Sequence, residues 1–292
     1  MPRISIVTPC KGRLRHLRRS LPTFLAQPES EVIVVDYDCP DGTADVCARE
    51  FPAARVVKVE DAPHFNGGRA RNLGAAEARS EWIAFFDADI LMAPDFVQRL
   101  TPKLDAPDMF HRFYPFNSSN NSACGSNVTR RADFFAAGQY DEVTQGYGGE
   151  DLDLYFRLEL FGSKPQRMEF DMLAEIIQHP DRERIRFGHY ETVVRHHQVN
   201  DVYYLVKHSL LRHLGVNGLD EEQREKIYGL IREVVSDATR TTDQPIHFTI
   251  ELPHDPIGIW TTGWRARRHL VFDLTPQLPS KPLADQGESD SD

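Results

Sequence analysis

Residues 82–89 read WIAFFDAD, an apolar run that ends in two acidic residues. Five consecutive apolar residues predict a strand that is buried on both faces of a parallel sheet. Three other short runs rich in β-branched residues precede it, at 4–7, 32–35 and 55–59. We therefore expect four strands within the first hundred residues.

The segments between these strands have apolar residues at helical spacing. The clearest helix is expected at 14–26, and shorter helices are expected at 43–50 and 69–79. Alternating strands and helices predict an α/β fold with a parallel sheet and right-handed crossovers. Ligands of such sheets bind at the carboxyl ends of the strands, so the polar residues that follow each strand are the candidate site.

The composition excludes several classes of protein. The 292 residues include 34 basic and 44 acidic side chains, for a net charge of −10, and 40% are hydrophobic. Such a chain is not wholly disordered and lacks the broad basic face that holds a nucleic acid, so we expect no nucleic-acid partner. Its four cysteines form no C-x-x-C pair, which argues against a zinc ribbon.

No apolar run has the length of a signal peptide or a membrane span, which predicts a cytoplasmic protein, at most peripheral to a membrane. Trp260 and Trp264 are candidate membrane contacts, although packing onto neighbouring helices is the simpler interpretation. Residues 201–275 are a candidate face for a homodimer.

Asp87 and Asp89 follow the apolar run of residues 82–86. Alternate residues of an extended chain point to the same side, so the two carboxylates are expected to face together. Like charges at close range are costly without a cation, and a divalent ion bound to phosphate would satisfy both. The alternative is a turn in which both residues cap the following segment.

The segment QGYGGEDLD, residues 145–153, is a glycine-rich turn that leads into a helix expected at 152–161. Gly148 and Gly149 allow the backbone to approach a ligand closely. Glu150 and Asp151 are candidates for a general base beside a bound acceptor. They could instead be the acidic residues that favour any helix N-terminus.

Two further turns have candidate ligand contacts. In FNGGRARNLG, Arg69 and Arg71 open a helix, which indicates a phosphate site or, alternatively, solvated arginines after a glycine turn. In VDYDCPDGT, Asp36 and Asp38 could accept hydrogen bonds from a base or ribose, or serve the turn itself.

Three histidines are candidate metal ligands. His179 follows an apolar stretch, a reasonable place for a ligand to a borderline metal. A lone histidine is more often structural, and His196 and His197 compete for the role. Helices are expected beyond them, at 201–214 and 220–238.

In their order along residues 4–180, these segments resemble the GT-A glycosyltransferases, bacterial family 2 enzymes among them, and more closely the β-1,4-galactosyltransferase family. The segments are 9–13 (PCKGR), 65–66 (FN), 72–74 (NLG), 87–89 (DAD), 146–151 (GYGGED) and 176–179 (IIQH). The resemblance implies a GT-A fold, an α/β mixed sheet flanked by helices. We expect a catalytic domain over 1–200, with a nucleotide-sugar half at 1–105 and an acceptor half at 106–200. A helical C-terminal extension at 201–278 and a disordered tail at 279–292 would follow.

The resemblance also implies a metal, Mn²⁺ or Mg²⁺. Asp89 would be its direct ligand and His179 the other protein ligand. Asp87 would face the donor ribose or the surroundings of the metal. Motifs and resemblance together assign the nucleotide-sugar contacts to Pro9, Lys11, Arg13, Asp36, Asp38, Phe65, Asn66, Arg69, Arg71, Asp87, Ala88, Tyr147 and Gly149.

The implied reaction is transfer of a hexose or N-acetylhexosamine from a UDP-sugar to a glycan or lipid-linked glycan. Phe65 would stack on the uracil, and Tyr147 would lie between donor and acceptor. Asp151 would be the general base of an inverting displacement, and Glu150 would contact the acceptor. The family arginine two residues after Phe65 is Gly67 here, so Arg69 or Arg71 would replace it.

Three other functions fit parts of the sequence. A HAD-type phosphohydrolase would use Asp87 as its nucleophile, but it leaves GYGGED unexplained. A sugar-nucleotide pyrophosphorylase would need a different glycine loop after the first strand. A non-catalytic nucleotide-sugar-binding module would not need Asp89, Asp151 and His179 together.

Overall fold

The computed structural model describes residues 3–106, 108–114, 123–190, 192–238, 246–251 and 269–275. The chain divides into two units, Met1–Tyr228 and Gly229–Asp292. The predicted tail at 279–292 lies outside the described residues, as do Trp260 and Trp264. No described helix is both long and apolar enough to cross a membrane.

The N-terminal part alternates strands and helices as the sequence predicts. Its elements are β1 (Ile4–Cys10), α1 (Leu14–Leu25), β2 (Ser30–Tyr37), α2 (Thr43–Glu50), β3 (Arg55–Val59), α3 (Gly67–Ala76) and β4 (Trp82–Phe85). The strand expected at 82–86 ends one residue early, because the chain turns at Phe86 toward the acidic pair.

The following elements are less regular. They are β5 (Ile90–Met92), α4 (Phe96–Leu100), β6 (Met109–Arg112), β7 (Asn127–Arg130), α5 (Arg131–Ala136), α6 (Glu150–Phe161), β8 (Lys164–Arg167), β9 (Leu173–Ile176), α7 (Asp181–Ile185) and α8 (Val193–Leu214). Helix α8 begins eight residues before the predicted helix at 201.

Helix α9 (Glu221–Ala238) matches the second predicted C-terminal helix. The prediction that 201–278 is helical is wrong in part, because β10 (Ile246–Glu251) and β11 (His269–Leu274) form an antiparallel pair. Phe248 and Phe272 face each other in that pair with ring centroids 5.1 Å apart, which is a cross-strand contact rather than a helical one.

The main sheet has the strand order β3-β2-β1-β4-β7-β6-β8. The four predicted strands pair in parallel, while β7 is antiparallel to both neighbours. This confirms the mixed sheet of a GT-A fold. The carboxyl ends of β1 and β4 lie side by side, so the residues that follow them meet at one edge.

Helices cover both faces of this sheet. Successive residues of β1 point to opposite faces, with Ile6 packed among the residues on the α1 side and Val7 among those on the other side. Leu17 and Leu21 of α1 are buried on the first face, and Ala70 of α3 is buried on the second. Because both faces are covered, the strands are almost wholly apolar.

A second, two-stranded sheet pairs β5 with β9 and determines the site. Ile90 pairs with Ile176, and the backbone N–H of Ile177 donates to the carbonyl of Asp89 at 2.8 Å. The pairing carries His179 to the end of β4. These strands of three and four residues are too short for the sequence pattern to reveal.

We expect Gly74→Ala to destabilise the protein by about 1–3 kcal/mol, because its new Cβ would lie 2.4 Å from Cγ1 of Val7. Gly229→Ala is the matched control. It lies within helix α9, where an added methyl group would have no neighbouring atom within 4 Å, and it should gain up to about 1 kcal/mol. Denaturant unfolding measures both; an unchanged midpoint for Gly74→Ala contradicts the close packing of α3 on the sheet.

Candidate functional site

A cleft that is open to solvent lies at the carboxyl ends of β1 and β4. Ten of the predicted site residues line it: Pro9, Lys11, Arg13, Phe65, Arg71, Asp87, Ala88, Asp89, Tyr147 and Glu150. Segments that are distant in sequence therefore meet in one place, as the strand-end argument requires.

Asp89 and His179 are the closest pair of candidate metal ligands. Nε2 of His179 lies 2.7 Å from Oδ2 of Asp89, and both side chains are almost fully buried. Arg13 brings Nη1 to 3.1 Å from the same oxygen and 2.7 Å from the same nitrogen. Burial raises the pKa of Asp89, but His179 and Arg13 outweigh it, so the pKa lies below its usual value.

The donor atoms of this pair are of types that bind a divalent cation. Oδ1 of Asp89 is buried without a hydrogen-bond partner. One imidazole nitrogen and one carboxylate oxygen suit a borderline metal such as Mn²⁺. Among the described residues no group of three or more His, Cys, Asp or Glu side chains forms a metal site, so phosphate oxygens or water would complete the coordination.

Asp87 and Asp89 do not face together, contrary to the prediction from extended geometry. The backbone turns, with the N–H of Ile90 donating to the carbonyl of Asp87, and the two side chains take different partners. Oδ1 of Asp87 accepts from Nη2 of Arg71 at 2.7 Å. Asp87 is thus directed toward α3, while Asp89 is directed toward His179.

Arg71 links the acidic pair after β4 to the acidic pair of α6. Its Nη1 also donates to Oε1 of Glu150 at 3.3 Å, and its side chain is 7% exposed. Burial alone would lower the pKa of Arg71. The neighbouring carboxylates of Asp87 and Glu150 raise it by more, so the pKa lies above its usual value and Arg71 stays cationic. Arg71 therefore neutralises two carboxylates and holds them at fixed positions in the cleft.

Asp151 adjoins Glu150 at the start of α6, and its carboxylate lies beside Gly125. Burial and the charge of Glu150 raise the pKa of Asp151 to about 6, although Arg71 opposes the shift. A carboxylate with such a pKa is more basic than an ordinary aspartate while remaining ionised near neutral pH.

Phe65 forms part of the wall of the cleft. Its ring meets the edge of Tyr37 at a centroid distance of 5.5 Å. Lys11 holds the backbone beside this wall. Its ammonium donates to the carbonyls of Asp38 at 2.7 Å and Ala62 at 2.8 Å. These bonds, with a third to Tyr37, use the donors of Lys11, so we assign it to holding the wall rather than to a phosphate.

Seven predicted residues do not line the cleft. They are Asp36, Asp38, Asn66, Arg69, Gly149, Asp151 and His179. Asp36 accepts the N–H groups of Cys39 and Ala44 at 2.9 and 2.7 Å and so serves its turn. Asn66 caps α3 through the N–H of Arg69.

Arg69 is exposed, whereas Arg71 reaches the cleft. A Cβ at Gly67 would lie 2.9 Å from Nη1 of Arg71, so the glycine makes room for this guanidinium. Of the two arginines proposed to replace the family arginine, only Arg71 is therefore in position.

Residues 5–141 match the model of Glycosyl transferase family 2. They contain Asp87, Asp89 and Arg71, whereas the acidic pair of α6 and His179 follow the matched segment. The family match leaves the phosphohydrolase interpretation of WIAFFDAD without support.

Two curated relatives are bacterial proteins of sugar metabolism. The succinoglycan biosynthesis protein ExoO of Rhizobium meliloti is 31% identical over 36% of this chain and 31% of its own length. Validoxylamine A glucosyltransferase of Streptomyces hygroscopicus is 24% identical, over 56% of this chain and 52% of its own. The chain spans about half or less of the length of these relatives.

Solved structures of glycosyltransferases share this fold. TarS 1-349 of S. aureus in complex with UDP-GlcNAc superimposes with a TM-score of 0.57 at 14% identity, over 81% of this chain and 73% of that one. The mannosyltransferase PcManGT of Pyrobaculum calidifontis, in complex with GDP-Man and Mn²⁺, gives 0.53 at 15% identity over 82% and 76%. The comparisons confirm the GT-A fold and support a glycosyltransferase enzyme. The closer resemblance to β-1,4-galactosyltransferases stays a prediction.

Helix α7 and the residues just after it, which follow His179, bring side chains to the cleft that the sequence did not predict. Nη1 of Arg184 donates to the hydroxyl of Tyr147 at 2.8 Å, and Glu183 and Phe187 line the same cleft. In the sequence these residues are marked only by their closeness to His179. Once β9 is known to bring His179 to Asp89, the next few residues are expected at the cleft as well.

His179 contacts Asp89, whereas His196 and His197 have other partners. Nε2 of His196 faces the carbonyl of Tyr190 at 3.1 Å and so carries a proton, while Nδ1 accepts the N–H of Tyr147 at 3.2 Å. With both nitrogens engaged, His196 has no lone pair left for a metal. His197 lies beside Asp201 and the ring of Tyr147.

We expect Arg71→Met to cost about 3 kcal/mol of stability, because Glu150 and Asp151 lose their buried counterion. Without it the folded-state pKa of Asp151, which is already raised, rises further above its unfolded value. The resulting penalty applies above that folded-state pKa and fades as the pH falls through it.

Arg69→Met, at an exposed position of the same helix, is the control and should change stability by less than about 0.5 kcal/mol. Denaturant unfolding at pH 7.5 and pH 5 measures both variants. A deficit for Arg71→Met that does not shrink at the lower pH contradicts the counterion role.

Proposed function

We propose that the protein is a metal-dependent inverting glycosyltransferase that transfers a hexose or N-acetylhexosamine from a UDP-sugar to a hydroxyl of a glycan or lipid-linked glycan. One observation carries the proposal. Asp89, in contact with His179, and Glu150, next to Asp151, line one cleft, where Arg71 bonds both Asp87 and Glu150. The first pair suits a metal–diphosphate, and the second suits an acceptor hydroxyl.

The charges of the cleft support a metal. Its lining has four acidic residues and four basic residues, the latter being Lys11, Arg13, Arg71 and Arg184. Lys11 and Arg71 are already bonded within the protein. A nucleotide diphosphate would therefore bring negative charge that the lining does not balance. Asp89 and His179 would hold Mn²⁺ or Mg²⁺, which supplies the neutralisation of the leaving diphosphate.

The acceptor side is served by residues of the chain itself. Asp151, with its raised pKa, takes the proton of the attacking hydroxyl. Direct attack on the anomeric carbon is a single displacement, so it inverts the configuration and needs no covalent intermediate. Tyr147, whose hydroxyl is held by Arg184, forms the wall between donor and acceptor.

The donor end fits a nucleoside. Phe65 presents a ring in the wall of the cleft, and the contacts of Tyr37 and Lys11 fix its surroundings. The complexes of TarS with UDP-GlcNAc and of PcManGT with GDP-Man show that related folds bind nucleotide sugars of both base types. We favour uracil because the resemblance of the GYGGED and DAD segments is to enzymes that use UDP-sugars.

With UDP and Mn²⁺ together, the thermal midpoint of the wild-type protein should rise, since a ligand at about 100 times its Kd stabilises by about 2.7 kcal/mol. Asp89→Asn should lose this rise. Asp95→Asn, an exposed aspartate just beyond β5, is the matched control and should keep it. An equal shift in Asp89→Asn would remove Asp89 from the site.

Asp151→Asn should lower UDP release from a UDP-sugar by about 10²–10⁴-fold while leaving the shift with UDP and Mn²⁺ intact. Glu159→Gln, an exposed acid on the same helix, should behave as wild type. Wild-type turnover should fall below pH 6, because protonation removes the base. A profile that stays flat down to pH 4.5 contradicts the assignment.

A further inference from the structure

Helix α8 holds the glycine-rich loop that carries Tyr147 and leads into Glu150 and Asp151. Three glycines of this loop, Gly146, Gly148 and Gly149, have φ values of 88°, 101° and 91°. Only glycine adopts such angles readily, and its freedom makes an unsupported loop costly to order. The loop must therefore be fixed from outside if it is to present the acidic pair at a defined position.

Side chains of α8 pack against each of these glycines. A Cβ at Gly146 would lie 1.8 Å from the ring of His196, and one at Gly149 would lie 2.6 Å from the ring of Tyr204. Gly148 is similarly close to His197. The loop thus lies directly on α8, with no room for side chains between them.

Asn200 supplies the polar contacts of this packing. Its Nδ2 donates to the carbonyl of Gly148 at 3.1 Å and faces that of Tyr147 at 3.4 Å. Its Oδ1 accepts from the hydroxyl of Tyr228 at 3.2 Å, which also accepts the N–H of Gln145. Asn200 is 1% exposed, so water does not replace these bonds.

His196 completes the arrangement from the preceding turn of α8. It is fully buried, and its Nδ1 accepts the N–H of Tyr147. The N–H of Tyr147 and the carbonyls of Tyr147 and Gly148 therefore all bond to two side chains of one helix. His196 and Asn200 are four positions apart along α8, which places them on the same helix face.

We propose that Asn200 and His196 are positioning residues of the transferase site, and that α8 is part of the catalytic apparatus. They fix the backbone of Tyr147 and Gly148, and through it the direction in which α6 presents Glu150 and Asp151. The inference rests on the proposed function. Because a misplacement of about 1 Å can cost on the order of 100-fold in rate, loosening the loop should act on turnover.

The test compares Asn200→Asp with Gln198→Glu. Asn200→Asp keeps the volume but replaces the donor by a carboxylate that faces two carbonyls. Gln198→Glu adds the same charge at an exposed position of α8 and is expected to behave as wild type. Each variant is assayed for UDP release from a UDP-sugar, for its Kd for UDP with Mn²⁺, and for its thermal midpoint.

We expect Asn200→Asp to lower turnover by about 10–100-fold and to leave the Kd for UDP within about threefold of wild type. We expect the difference because the proposed contacts of UDP are Phe65 and Asp89, whereas the loop would face the transferred sugar and the acceptor. Turnover within twofold of wild type would overturn the proposal. A parallel loss of turnover and UDP affinity would also overturn it, since that is the result of general damage.

Three further variants keep the test independent of folding. Tyr228→Phe removes only the hydroxyl that orients Asn200, and we expect a smaller loss of turnover in the same direction. His196→Gln retains an acceptor for the N–H of Tyr147 and should keep more turnover than His196→Leu. Equal turnover in those two variants would contradict the role of His196. If the wild type neither binds UDP nor releases it from UDP-sugars, the proposed function fails instead.

Discussion

Four carboxylates gathered at one sheet edge are the constraint on which the rest of the site depends. Asp87, Asp89, Glu150 and Asp151 all lie in or beside the same cleft, and their mutual repulsion must be offset. Arg71 balances Asp87 and Glu150, and Arg13 with His179 balances Asp89. The site is therefore assembled from cations as much as from acids. Arg71 only partly offsets the burial of Asp151 and the charge of Glu150, so the pKa of Asp151 stays raised.

A second charged cluster lies behind α6 and keeps that helix in place. Asp153 is fully buried, and its Oδ2 accepts from Arg157 at 2.9 Å and from Lys207 of α8 at 2.9 Å. Lys207 also donates to Asp141 at 2.6 Å, just before the glycine-rich loop. Burial alone would raise the pKa of Asp153. The charges of Arg157 and Lys207 lower it by more, so the pKa lies below its usual value. Removing one partner of such a buried pair is costly, so the cluster holds α6 against α8.

The sequence predicted the part of the fold that depends on periodicity. Strands β1–β4 and helices α1 and α2 follow from short apolar runs and helical spacing, because covered parallel strands must be apolar. The pair β5–β9 could not be predicted, since three or four residues carry no period, although it is what places His179. The early start of α8 was missed because His196, His197 and Asn200 interrupt the apolar pattern where they bind the loop.

The candidate site was predicted in its residues better than in its contacts. Ten expected residues line the cleft, because the polar residues after parallel strands meet at one edge. The roles of Lys11 and Asp36 depend on which backbone groups fold back toward them, and that is long-range information. The same holds for Asp87 and Asp89, whose divergence follows from a turn rather than from an extended strand.

The most direct test of the account is a crystal structure of the protein with a UDP-sugar and Mn²⁺, using the anomalous signal of manganese. The account predicts a manganese peak in contact with Asp89 and His179, with the uracil against Phe65 and the sugar on the side of Tyr147. A peak at other residues, or a nucleotide bound outside the cleft, would contradict it.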